Sequence, residues 1–261
     1  MTMNFNYIEY LTLDRITFIT LNRPEKRNAF NEILVEELKQ AFTQAEQDEH
    51  TKVIILKANG KVFSAGADLG YLQGLQKNSY QENLADSNNL KDLYQQIYTL
   101  KKVVIAQVEG HAIAGGCGLA TVCDFTFAIP EAKFGYTEVK IGFVPAIVMV
   151  FLIRKIGEAK TKELLLTGKL ISAAEAKEYG IINNTFIADK INSEVTSFAL
   201  KLCEETSEQS LQITKEMIAK VQDMNYVQAF DYAAEMNAKG RGTSDCKAGI
   251  TSFLNKEKIN W

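Results

Sequence analysis

The chain has 261 residues, of which 46% are apolar and 23% charged, and its formal net charge is −3. That length can bury a sizeable core without staples, and the charge excludes the basic footprint of a nucleic-acid binder or a polybasic membrane patch. Only two histidines, His50 and His111, are present, and the four cysteines (Cys117, Cys123, Cys203, Cys246) form no Cys-x-x-Cys pair, which excludes a His-rich zinc site and leaves no redox dithiol motif.

No run of about 18 apolar residues occurs, and the first ten residues lack the basic, apolar, small-residue order of a signal peptide. A soluble protein of the reducing cytoplasm, with no membrane or nucleic-acid partner, is the expectation.

Residues 7–13 and 16–21 alternate as two strands joined at Asp14-Arg15. A polar loop with Pro24 follows. Phe30, Ile33, Leu34, Leu38, Phe42 and Ala45 recur at helical spacing, predicting an amphipathic helix to about residue 49. Residues 53–57 form a short apolar strand and 59–70 a loop rich in Gly and Ala. The polar stretch 76–89 is weakly periodic and expected to be mobile; 90–100 is helical.

The scheme then recurs. A strand at 103–108 leads into a small-residue loop at 110–118, which opens a helix to 122. A strand at 124–129, a strand and turn at 134–142, helices at 146–156, 159–166 and 173–179, and a last strand at 181–187 follow. From 189 onward only helix is predicted. The division expected is an α/β-layered core at 1–188 and a helical region at 189–261.

Two loops stand out. Phe63-Ser64-Ala65-Gly66-Ala67-Asp68-Leu69 and Ala112-Ile113-Ala114-Gly115-Gly116-Cys117-Gly118-Leu119 each follow a strand and precede a helix. Small residues let a ligand approach the backbone. A helix start offers unpaired N–H donors, which favour an anion or a developing oxyanion. Two such loops facing one point would make an oxyanion hole; tight helix–strand packing calls for the same residues. Gly116-x-Gly118-x-x-Thr121, with Glu138 twenty residues after Gly118, is a partial dinucleotide fingerprint. Its third position is Thr and it lies mid-chain, both against that reading. No P-loop occurs.

The sequence resembles the crotonase superfamily, the enoyl-CoA hydratase/isomerase family. Leu21-Asn22-Arg23-Pro24 with Asn28-Ala29, the two small-residue loops, Cys123-Asp124, Ala132-Lys133-Phe134-Gly135, then Glu138, Gly142 and Pro145 carry the match. Thr167-Gly168-Lys169, Ala173-Ala174-Glu175-Ala176 and Gly180-Ile181-Ile182 extend it over essentially the whole chain. Each motif alone is weak; their order and spacing are specific.

The resemblance implies an α/β fold: a spiral of ββα units with an all-helical C-terminal trimerisation region, assembled as a trimer or dimer of trimers. It implies an acyl-CoA substrate, with coenzyme A part of that substrate and no separate cofactor or metal. By position, the oxyanion donors are the backbone N–H groups of Ala67 and Gly115. CoA contacts fall near Lys26, Ala65, Asp68 and Leu69, with Phe253 and Lys256 matching contacts from a neighbouring subunit.

Hydratases of this family carry two glutamates. The second is Glu138 here, but the first position is Gly118. Gly118, together with Pro145-Ala146, resembles bacterial methylglutaconyl-CoA hydratases of leucine breakdown. Glu138, between apolar neighbours, is the acid/base candidate, with a carboxyl pKa raised by desolvation. Either it acts alone through a water, or Tyr136, His111 or a substrate carboxylate supplies the second proton. Gly118 is expected to leave space for a distal carboxylate. Cys117 and Cys123 read as small core residues, Asp124 as structural and Asp68 as a helix start. An enoyl-CoA isomerase and a catalytically silent protein, acyl-CoA-binding or RNA-associated, are the alternatives to a hydro-lyase.

Overall fold

The computed structural model describes residues 5–261. β1 (Ile8–Leu13) and β2 (Ile16–Leu21) pair antiparallel, with Leu13 opposite Ile16. The two turn residues, Asp14 and Arg15, have φ of 50° and 64°, the backbone hand that matches the twist of a two-residue hairpin. A 3-10 turn at Pro24–Lys26 leads to α1 (Glu32–Gln47), which Asn31 caps through Leu34 N–H at 2.9 Å.

The chain then repeats a strand, a short second strand and a helix. The units are β3 (Val53–Ala58), β4 (Val62–Ser64), α2 (Leu69–Leu75) and α3 (Tyr80–Thr99); β5 (Val103–Val108), β6 (His111–Ile113) and α4 (Gly115–Val122); and β7 (Phe125–Ala128), β8 (Lys133–Gly135) and α5 (Ala146–Thr167). β9 (Leu170–Ser172), α6 (Ala173–Glu178) and β10 (Asn184–Thr185) complete the layers, and α7 (Ala188–Glu205), α8 (Glu208–Val221), α9 (Tyr226–Arg241) and α10 (Ser244–Asn255) follow. The long strands form a six-stranded sheet in the order β1-β2-β3-β5-β7-β10, parallel except for the β1–β2 hairpin. The short ones form a four-stranded sheet, β4-β6-β8-β9. This is the expected ββα spiral.

The main core includes Leu34, Leu38 and Phe42 of α1, Tyr94 of α3, and Ile54, Leu56, Val104 and Ala106 of the large sheet. On that sheet's other face, Ile16, Val53, Ile55, Val103 and Ile105 meet Ile191, Val195 and Ala199 of α7. The helical region therefore begins with a helix that serves the core. No helix among the described residues is long and apolar enough to cross a membrane.

Three expectations are corrected. The helix expected at 90–100 begins ten residues earlier: α3 starts at Tyr80, where Ser79 and Glu82 make a reciprocal capping box. The strand expected at 181–187 shrinks to two residues, because Ile181 and Ile182 are buried in the core rather than paired in a sheet. Both small-residue loops contain short strands, β4 and β6, which pair in parallel. The break between the helices at 146–156 and 159–166 is Gly157, with φ 75° inside α5.

One side chain ties the polar loop after β2 to the second unit. Buried Asn28, at φ 51°, accepts from Arg23 N–H (2.8 Å) and donates to the carbonyls of Asn59 (2.9 Å) and Val62 (2.8 Å). Asn28→Ala leaves these groups unpaired and holds a Cβ-bearing apolar residue in the left-handed region. The expected cost is roughly 2–4 kcal/mol, a fall in Tm of about 5–15 °C for a domain of this size, checked by thermal unfolding.

Candidate active site

The segment around Phe30 places the first loop. Ser64 Oγ donates to Asn28 O (2.8 Å), Ala65 N–H to Arg27 O (3.0 Å), Phe30 N–H to Gly66 O (2.7 Å) and Asp68 N–H to Phe30 O (2.8 Å). Ala67 lies between the last two bonds in a parallel bridge with Phe30. Its own N–H has no acceptor among the described residues.

The second loop is placed by β8: Ala114 N–H donates to Gly135 O at 2.7 Å. Gly115 is the first residue of α4, so its N–H has no intrahelical partner. The two loops touch. A Cβ on Gly66 would lie 2.8 Å from Ala114 Cβ and 3.4 Å from Gly115 N; one on Gly116 would lie 2.5 Å from Ser64 O. Close packing therefore brings Ala67 and Gly115, whose N–H groups have no acceptor among the described residues, to one wall.

That wall belongs to a cavity of about 370 Å³, lined by Ala65, Ala67, Leu69, Ala114, Gly115 and Glu138 among others. Val35, Leu72, Leu90, Phe143 and Val148 make much of the rest apolar. Glu138 opens a 3-10 turn, Glu138–Ile141, rather than ending a strand. Its Oε2 is buried without a partner among the described residues, and burial raises its carboxyl pKa above the usual value.

The other expected residues divide. Asp68 caps α2, accepting from Gly70 N–H at 2.8 Å, and pairs with Arg23 at 2.9 Å. Leu69 lines the cavity and is 79% exposed. Lys26 is exposed at the end of the 3-10 turn. Phe253, exposed on α10, and Lys256, just after it, do not line the cavity of their own protomer. Asp124 is structural, accepting from Val104 N–H (2.7 Å) and pairing with Lys215 (2.6 Å). Cys117 and Cys123 are buried, and burial pushes their thiols up to about 11 and about 12, which keeps them protonated.

Neither candidate for the second proton reaches the cavity. Tyr136 is fully buried against Thr121 Oγ1 (2.8 Å), and His111 is exposed and accepts from Lys133 N–H (3.2 Å). The space expected at Gly118 is also absent: a Cβ there would meet Val148 Cγ1 at 2.4 Å and Tyr94 OH at 3.2 Å.

Sequence reasoning missed the contribution of α3. Asp86 and Leu90 line the cavity, and Tyr94 continues their four-residue spacing on the same helix face. Burial and the charge of Glu32, another lining residue, raise the Asp86 carboxyl pKa. The signal was the Ser79-x-x-Glu82 box, which marks the helix start and hence the face.

The family described as enoyl-CoA hydratase/isomerase matches residues 12–261. A Thermus thermophilus protein described as "Putative enoyl-CoA hydratase" is 40% identical, over 92% of this chain and 95% of its own length. The mitochondrial enoyl-CoA hydratase of Pongo abelii is 32% identical, over 94% of this chain and 83% of its own. The crystal structure of an enoyl-CoA hydratase from Shewanella pealeana superposes with a TM-score of 0.92 at 29% identity, covering 98% of this chain and 96% of that one. With the paired loops, the free N–H groups and Glu138 in one cavity, the chain belongs to the enoyl-CoA hydratase/isomerase family.

Proposed function

We propose that this protein is a hydro-lyase that adds water reversibly to a short enoyl-CoA thioester, with Ala67 and Gly115 N–H holding the thioester oxygen and Glu138 serving as acid/base. The observation that carries the reading is the pair of acceptor-free N–H groups on the wall of the cavity that also holds Glu138. Charge moving from the double bond onto the thioester oxygen meets two fixed donors, each worth roughly 2.7–4 kcal/mol of barrier. The same polarisation makes the β-carbon electrophilic and the α-carbon acidic. Glu138 then takes a proton from water as it attacks and returns one to the α-carbon. Lys26, Ala65, Asp68 and Leu69 are the proposed CoA contacts on this protomer, with Phe253 and Lys256 serving a neighbour's site. No cofactor beyond the CoA of the substrate enters the reading.

A single carboxylate at the reacting end also suits an isomerase, which moves one proton between carbons. Solvent deuterium entering the acyl chain without net hydration would mark that reaction.

Glu138→Gln is expected to lower kcat about 10²–10⁴-fold. The folded carboxyl has a raised pKa, so its ionisation opposes folding. That deficit is absent below the unfolded pKa and grows as pH rises through the folded value. Tm of the variant at neutral pH should therefore equal or exceed the parent's. For the parent, the acid limb of kcat/KM should lie above the ordinary glutamate range. Activity within threefold of the parent would remove Glu138 from the mechanism.

The finer substrate reading is 3-methylglutaconyl-CoA, supported by the resemblance at Gly118 and Pro145-Ala146. The cavity sets its terms. Glu32, Asp86 and Glu138 line it, with no Lys or Arg among the described lining residues. Asp86 stands eight residues before Tyr94, about 12 Å along α3, so it faces the far end of an acyl chain. A distal carboxylate there meets Asn31, Ser87 and Asn89 as neutral donors and Asp86 as a like charge. Asp86→Asn is expected to raise the kcat/KM ratio of 3-methylglutaconyl-CoA over a short linear enoyl-CoA about tenfold, measured on both substrates. An unchanged ratio places the carboxylate elsewhere.

Self-association as a trimer or dimer of trimers completes the reading. Ile218, Tyr226, Phe230, Ile250, Phe253 and Leu254 of α8–α10 are each more than half exposed, at 54–83%, an apolar surface that water disfavours. Sedimentation should show a trimer or larger; a stable monomer counts against both the assembly and the cross-subunit contacts.

A further inference from the structure

An oxyanion-binding helix start has a conflict built into it. Helices are usually anchored at the N-terminus by a side chain that accepts from their first N–H groups, and such an acceptor would compete with the substrate. Here α4 spans only eight residues, and Ala114 offers no side-chain cap. Its first turn must be held some other way.

We propose that Tyr94 is the positioning residue of this turn: its hydroxyl, donated to Gly115 O, anchors α4 from the carbonyl side and leaves the Gly115 N–H free for the thioester oxygen. The inference rests on the reading of Gly115 as an oxyanion donor and names the group that aims it.

Tyr94 is fully buried, and its O–H reaches Gly115 O at 2.7 Å. Cβ atoms on Gly115 and Gly118 would lie 3.3 and 3.2 Å from the same hydroxyl oxygen. The hydroxyl therefore sits against the inner face of the first turn, over residues i and i+3. The ring packs edge-on against Phe151 at 5.4 Å between centroids, while the hydrogen bond to Gly115 O sets where the hydroxyl points. Burial, and then the charge of Glu138, push its pKa well above the usual tyrosine value, so it remains a donor at working pH. Tyr94 and Val148 together occupy the ground over Gly118. A chain without a side chain at 118 has room for a tyrosine there, and the tyrosine reaches the turn that a bulkier residue at 118 would screen.

The test uses butyryl-CoA, a saturated short acyl-CoA that is not hydrated, and the infrared stretch of its thioester carbonyl when bound. In the parent the band should fall below its position in water, as the two N–H groups polarise the bond. Tyr94→Phe keeps the ring and removes the hydroxyl. The band should move back toward the free position, and kcat on a short enoyl-CoA should fall about 10–100-fold with KM within threefold, less than the 10²–10³-fold of losing a donor outright. Phe151→Leu loosens the same packing but keeps the hydroxyl, and should lower Tm without moving the band. An unmoved band in Tyr94→Phe, or an equal shift in Phe151→Leu, overturns the positioning role. A parent band that does not shift on binding overturns the oxyanion reading itself, a separate outcome.

Discussion

The close approach of two loops, residues 64–67 and 114–116, is the constraint on which the rest of the structure depends. Neither Gly66 nor Gly116 has room for a Cβ without a clash below 3 Å. Hydrogen bonds with Asn28 and Phe30 hold the first loop, and β8 holds the second. The parallel register of β4, β6 and β8 brings those supports side by side. Three-residue strands contribute little cohesion on their own. Their role is metric: their register fixes the spacing of the two turns.

The far end of α4 is secured with equal care and by different chemistry. Lys155 donates to the carbonyls of Thr121 (2.8 Å) and Cys123 (3.0 Å), and Lys215 binds Asp124 just beyond the helix. Cations at a helix C-terminus complement its dipole. The helix thus presents its positive end to the cavity and has its negative end compensated by half-buried lysines. Both ends act on the same eight residues, so the field at the cavity wall is fixed by the fold rather than by mobile side chains.

Much of this was legible in the sequence. The hairpin at Asp14-Arg15, α1 and both small-residue loops carry local signals, since alternation, helical periodicity and the absence of bulky side chains are properties of neighbouring residues. The small sheet was not legible, because three-residue strands have too few positions to show a period and are defined by partners far along the chain. β10 failed for the opposite reason: Ile181 and Ile182 read as strand but are apolar because they fill the core. At the site, the family resemblance carried by motif order named Glu138, Ala67 and Gly115, and these line one cavity. It did not name Tyr94 or Asp86, since their meaning depends on which face of α3 turns inward. Gly118 shows the limit most clearly: a missing side chain reads as empty space in a sequence, yet Val148 and Tyr94 take the volume in three dimensions.

Ala114 brings a last consequence. It sits at φ 51° and ψ −128°, ground that glycine occupies freely and that a residue with a Cβ holds only at about 1–3 kcal/mol of strain. The strain lies one residue before Gly115, the proposed donor, which lines the cavity. Engineering for heat resistance by relaxing this turn would soften the peptide plane that the proposed mechanism needs to stay still. On the proposed reading, thermal robustness and turnover are opposed at a single backbone position, and gains in stability are better sought on the outer helices, where no peptide has to be aimed.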